Sequence, residues 1–127
     1  MKVLIDTNAL MMPAQFRIDL FGELQYLLGS FTPLVLEEGI RELRGLSSGF
    51  GRDGAAARCG LALAEKCTTV RPECPVRGGA DAQIIAFAAE TGCHVVTNDR
   101  RLREELLARG IGVISMRKQK RLELIQR

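Results

Sequence analysis

An α/β fold, in which a parallel sheet is covered by helices on both faces, is predicted here by three observations. Short runs rich in β-branched residues, the wholly apolar Val3-Leu4-Ile5 and Cys93 to Thr97 around Val95-Val96, read as central strands buried on both sides. Segments with apolar residues three and four apart alternate with them, the pattern of right-handed βαβ units. Both runs break off into polar residues that carry an acid, Asp6 and Asp99, and strand ends of that kind build the sites of open α/β sheets. With 127 residues, 46% of them hydrophobic, residues 1–127 fit a single domain with an ordinary core.

The elements follow in order. Val3 to Ile5 is the first strand. Phe16, Leu20, Leu24, Leu27 and Leu28 predict one amphipathic helix over 16–29, ended by Gly29. Phe31 to Leu36 is a strand with Pro33 near its beginning, where a missing N–H is tolerated. From Glu37 the pattern turns helical through Ile40, Leu43 and Leu46, with Glu38 and Glu42 on one face. Ser47 to Gly54, rich in Gly and Ser, reads as a flexible loop. Ala55 to Lys66 predicts a small-residue helix, Cys67 to Val70 a short strand, and Arg71 to Gly79 an irregular connection. Ala80 to Thr91 is an apolar helix stopped by Gly92, followed by the Cys93–Thr97 strand, a charged helix over 99–109 and a last strand over 112–116. The remainder, 117–127, reads as a basic tail.

Charge is unevenly spread. Residues 1–99 hold 9 Lys/Arg and 12 Asp/Glu, net −3, whereas residues 100–127 hold 9 and 3, net +6. A basic margin beside an acidic pocket suits a polyanion held by its phosphates near a metal, although a solvated helix with a basic terminus gives the same charges. Cys59, Cys67, Cys74 and Cys93 form no CxxC pair, and His94 is the sole histidine, which argues against structural zinc and for reduced thiols in a cytosolic protein. No run approaches a membrane span, and Asp6 interrupts the first apolar run too early for a signal peptide.

Asp6, Glu42, Asp81 and Asp99 lie beside strand ends or helix starts, so they can converge at one sheet edge. Gathered without a cation they would repel one another. Mg²⁺ or Mn²⁺ removes the conflict, because both take hard oxygen ligands, and either can activate water for in-line attack on a phosphodiester. Asp81 also suits helix capping, which is worth a few tenths to about 1 kcal/mol. Asn8 and Asn98 divide evenly between supporting the acids and closing turns, whereas Thr97, two positions before Asp99, leans toward the site. His94 and Cys93 read as incidental to it.

A dehalogenase-type phosphatase would need an Asp where Asn8 stands, and no GxxxxGK[ST] loop is present. A receiver domain would keep a Lys after its last strand, a place near Lys118.

Four segments in order, Asp6-Thr7-Asn8, Glu42-Leu43, Ala80-Asp81-Ala82-Gln83-Ile84-Ile85 and Val96-Thr97-Asn98-Asp99, resemble the four acidic motifs of the PIN-domain ribonucleases over nearly the whole chain. The stretch Val113 to Leu124 resembles the ending of archaeal PIN proteins related to the small-subunit rRNA-processing endonucleases. The resemblance implies a three-layer α/β/α fold around a parallel sheet of about five strands. It also implies Mg²⁺- or Mn²⁺-dependent endoribonuclease activity through Asp6, Glu42, Asp81 and Asp99, and often a homodimer.

Two departures stand out: Ala82 where close relatives often have an Asp, and Gly39 where an apolar residue is usual. The second leaves Glu38 as an alternative to Glu42. Arg100, Arg101, Arg103, Arg117, Lys118, Lys120 and Arg121 would hold single-stranded RNA or a pre-rRNA segment through its phosphates. A noncatalytic RNA-binding or ribosome-assembly protein and the toxin of a toxin–antitoxin pair are the alternative functions.

Overall fold

The structure, a computed structural model, describes every residue except Pro75, Gln119 and Arg127. Its elements in chain order are β1 (Lys2–Ile5), α1 (Thr7–Phe16), α2 (Leu20–Leu28), β2 (Thr32–Leu36), α3 (Glu37–Ser47), α4 (Gly51–Ala64), β3 (Thr68–Val70), α5 (Ala80–Thr91), β4 (His94–Val96), α6 (Arg100–Ala108), β5 (Val113–Arg117) and β6 (Arg121–Ile125). They build one sheet in the order β3-β2-β1-β4-β5-β6, parallel except for the antiparallel pair β5–β6.

The apolar strands are explained by two separate cores. Alternate side chains of β1 point to opposite faces. Val3 and Ile5 join Val35, Val96 and Ile114 in a core shared with Leu10, Met12, Leu24, Leu43 and Ala57 of α1 to α4. Leu4 joins Leu34, Val95 and Val113 in a second core with Ile84 and Phe87 of α5 and Leu102 and Leu106 of α6. Strands buried on both sides have no polar face to display, and the result is the expected three-layer α/β/α arrangement.

The structure departs from the sequence reading in three places. First, the helix expected over 16–29 is α2, shorter at Leu20–Leu28, and a further helix that the sequence reading did not place, α1, precedes it. α1 begins directly after Asp6 and carries Pro13 within it, the residue that hides this helix from a periodicity search. It ends at Phe16 with Arg17 in the left-handed region (φ 54°), and Asp19 then caps α2, its Oδ1 accepting from the Gly22 N–H at 3.1 Å.

Second, the Ser47–Gly54 loop is shorter than expected, because α4 starts at Gly51. Buried Gly54 packs against the backbone of Gly49, and Arg58 Nη1 donates to the carbonyls of Ser47 (2.8 Å) and Gly49 (3.3 Å). Third, the basic tail is not a tail. Residues Arg121–Ile125 return as a sixth strand whose Leu122 is buried against the first core. Among the described residues no helix is long and apolar enough to cross a membrane, and all four cysteines are unpaired.

Candidate active site

The five parallel strands β3, β2, β1, β4 and β5 end at one edge, where Asp6 follows β1 and Asp99 lies just beyond β4. Asp6 follows β1 directly. Its backbone continues the ladder, with the Asp6 N–H donating to Val96 O at 3.0 Å, and its carbonyl accepts the first α1 bond from the Leu10 N–H at 3.1 Å. Its side chain does not cap the helix. Instead Asp6 Oδ2 accepts from Thr97 Oγ1 at 2.9 Å, joining the ends of two adjacent strands.

Asp6 and Thr97 are both buried, a carboxylate enclosed with a hydroxyl. Burial pushes the Asp6 carboxyl up to about 6; the Thr97 hydroxyl and the Thr7 backbone hold it down, whereas the negative charges of Asp81 and Glu42 add to the rise.

Asp99 does what the sequence suggested for Asp81. It is the N-cap of α6, its Oδ1 accepting from the Leu102 N–H at 3.1 Å, and its own N–H donates to Thr97 Oγ1 at 3.1 Å. Thr97 therefore holds both strand-end acids through one hydroxyl. Asp81 lies in the first turn of α5, whose N-cap is Gly79, and makes no capping bond. Desolvation first, then the charges of Asp99 and Glu105, push the exposed Asp81 carboxyl above its ordinary range, while Arg101 opposes them.

Glu42 is the α3 glutamate whose charge reaches Asp6. Glu38, one turn earlier, is joined to Arg41 at 3.2 Å. Gly39 has a physical reason: a Cβ there would stand 3.1 Å from Thr7 Oγ1, so glycine lets α3 close against the start of α1. Ala82 lines a shallow groove between α5 and α6 with Asp81, Arg101 and Glu105.

The flanking residues separate. Thr97 supports the acids as anticipated. Asn98 serves the sheet: its Oδ1 accepts from the Met116 N–H at 2.7 Å and from Ser115 Oγ at 3.1 Å, and its Nδ2 lies 3.0 Å from Met12 Sδ. Asn8 is exposed on the first turn of α1. Ser115, buried and invisible to motif reasoning, also takes a bond from Arg103 Nη1 at 3.3 Å, so Arg103 faces the protein with at least one donor. Arg100, Arg101, Arg117, Lys118, Lys120 and Arg121 are exposed. His94 begins β4 at the opposite edge, its Nε2 3.0 Å from Gln126 Nε2.

The four acids are linked pairwise by charge: Asp6 feels Asp81 and Glu42, and Asp81 feels Asp99. The donor set suits a hard divalent cation: it is all carboxylate oxygen, and burial first, with the charges of neighbouring acids adding, raises Asp6 and Asp81. Among the described residues no three His, Cys, Asp or Glu side chains stand close enough to hold an ion as they are. Asp6 and Asp99 are fixed by hydrogen bonds, so closing the ring falls to exposed Glu42 and Asp81.

Fold and site define an α/β protein with a mostly parallel sheet and with the acids Asp6 and Asp99 just beyond the carboxyl ends of β1 and β4. The chain belongs to the PIN-like domain family, whose model matches residues 3–119. It is 31% identical over 120 residues to a ribonuclease of Archaeoglobus fulgidus, VapC9, covering 93% of this chain and 84% of that one. Among solved structures it is similar to the PIN domain endonuclease Utp24, with a TM-score of 0.81 and 26% identity over 99% of this chain and 92% of that one. The VapBC2 complex of Rickettsia felis bound to a promoter DNA fragment shares the fold at a TM-score of 0.63 and 14% identity, over 82% of this chain and 92% of its own.

Proposed function

We propose that this chain is a Mg²⁺- or Mn²⁺-dependent endoribonuclease that hydrolyses phosphodiester bonds of single-stranded RNA, with ribosomal RNA precursors as the substrate class. The likeness to the Utp24 endonuclease and to the VapC9 ribonuclease supports the reaction class. The homodimer that the resemblance implies and the cytoplasmic setting read from the cysteines belong to the same reading.

The observation that carries the proposal is Asp6: a buried carboxylate at a strand end, bonded by Thr97 and facing two further acids. Burying a carboxylate among like charges is unfavourable, and a dication is what makes the arrangement favourable. When bound, the ion neutralises the carboxylates and the scissile phosphate and lowers the pKa of a water for in-line attack.

The chain's own residues do the rest. Asp6, Glu42, Asp81 and Asp99 would hold the ion, and Thr97 fixes the Asp6 carboxylate through Oδ2. Asp99 Oδ1 accepts from the Leu102 N–H at the α6 N-terminus, which fixes the carboxylate in place. Arg101, beside Asp81, offers a guanidinium to the phosphate as it approaches the acids.

The test is cleavage of a labelled single-stranded RNA with Mn²⁺, comparing the wild type with Asp6→Asn, Glu42→Gln and Glu38→Gln. Asp6→Asn and Glu42→Gln should lose activity by orders of magnitude, and Glu38→Gln should retain it. Unchanged cleavage by Asp6→Asn overturns the proposal, and an active Glu42→Gln enzyme overturns the choice of glutamate. RNA binding in EDTA without any metal-dependent product would mark a noncatalytic RNA-binding protein instead.

A further inference from the structure

Lys118 and Lys120, described residues of the basic segment between β5 and β6, lie in a turn, and its place in the sheet gives it a role. β5 runs parallel to β1 and β4, so its last residue, Arg117, emerges at the same carboxyl edge as Asp6 and Asp99. From β1 to β5 is two strand spacings, roughly 10 Å. Arg117 and Arg121 are direct cross-strand partners, and the Lys120 N–H closes the turn on Arg117 O at 3.1 Å.

Lys118 lies in the left-handed region (φ 52°), where glycine would sit without strain. Arg117, Lys118, Lys120 and Arg121, all exposed, line one concavity, and the Glu38–Arg41 salt bridge involves none of them. Like charges placed directly opposite repel, so four of them around one turn favour an anion between them.

The turn is also tied to the acids. Asn98 stands between Thr97, which bonds Asp6, and Asp99; its Oδ1 accepts from the N–H of Met116, the residue before Arg117. On the returning strand the Leu122 N–H donates to Glu23 Oε1 at 3.3 Å.

We propose that the β5–β6 turn is a phosphate clamp that grips the RNA backbone a short, fixed distance to one side of the scissile bond. Asn98 is the positioning residue that sets that distance. The clamp rests on the nuclease reading for its substrate, but its binding is testable without turnover.

Binding of fluorescein-labelled oligouridine is measured in EDTA by anisotropy across a salt series, for wild type, Lys118→Gln/Lys120→Gln, and Lys118→Gly, which keeps the turn unstrained. Each lost phosphate contact should reduce the slope of log K on log salt by about 0.7. The double variant should therefore lose about 1.4 and Lys118→Gly about 0.7. Unchanged slopes in both variants overturn the clamp even if cleavage proceeds. Reduced slopes uphold it even if no metal supports cleavage, a result that would sink only the nuclease reading.

For the positioning role, Asn98→Ala should keep the salt slope and broaden the set of bonds cut in an RNA of defined sequence. A wild-type cleavage pattern from a folded Asn98→Ala protein overturns that role.

Discussion

Replacing Asp6 by Asn should stabilise the metal-free protein at neutral pH, and the size of the effect follows from the site. The Asp6 carboxyl is raised from the ordinary 3.8 to about 6, chiefly because it is buried, so the folded chain holds a proton that the unfolded chain has released. Between those two values the native state binds more protons than the unfolded state, and stability falls as pH rises through the window. Above about 6 the loss is complete, at about 3 kcal/mol from 1.36 kcal/mol per unit. Asparagine is never ionised, and its carbonyl oxygen can still accept from Thr97 Oγ1.

Urea denaturation in EDTA should therefore find Asp6→Asn more stable than wild type by up to about 3 kcal/mol at about pH 7.5, with the gap closing near pH 4. Asp81 is raised as well, but it titrates in both proteins, so the difference isolates Asp6. Mn²⁺ at about 100 times its dissociation constant should stabilise the wild type by about 2.7 kcal/mol and the variant far less. A metal-free Asp6→Asn protein that is less stable than wild type at neutral pH would refute the reasoning.

Three further outcomes follow. Thr97→Val removes one hydroxyl from both Asp6 and the Asp99 N–H and should cost about 1–3 kcal/mol in a thermal melt, with the apparent Asp6 pKa moving further up in an NMR titration. Asp99→Ala should lose about 1 kcal/mol with the α6 cap, whereas Asp99→Asn, which retains an acceptor for the Leu102 N–H, should melt near wild type while losing metal-dependent cleavage. Gly60→Ala should cost about 1–3 kcal/mol in urea, because its Cβ would stand 3.2 Å from Leu43 Cδ2 and 3.3 Å from Leu10 O where α4 meets α1.

Much of this fold was legible because its strands are buried on both faces. Continuous apolar runs located β1, β2 and β4, and Gly92, left-handed at φ 71°, ends α5 where the sequence placed its stop. The failures have physical causes. Pro13 and the missing i, i+4 stripe hid α1, whose buried residues include Thr7 and two methionines. Charged Arg121 and Glu123 disguised β6, an edge strand that buries only Leu122 fully.

At the site, strand ends predicted where Asp6 and Asp99 would stand, since a terminal residue is fixed by the ladder behind it. The division of labour was not legible: Asp99 caps and Asp81 does not, because Gly79 rather than a polar side chain precedes α5. Asn98, which the sequence divided evenly between supporting the acids and closing a turn, bonds Met116 and Ser115, contacts made across the sheet that no local motif encodes.

The central claim is that Asp6, Glu42, Asp81 and Asp99 close around a divalent cation. Crystals soaked in Mn²⁺, with anomalous differences collected at the manganese edge, test it directly. An anomalous peak is expected at the carboxyl edge of β1 and β4, bonded by Asp6 and by at least one of Asp99, Asp81 and Glu42. A map without a peak there, under conditions in which the same protein cleaves RNA, would contradict it.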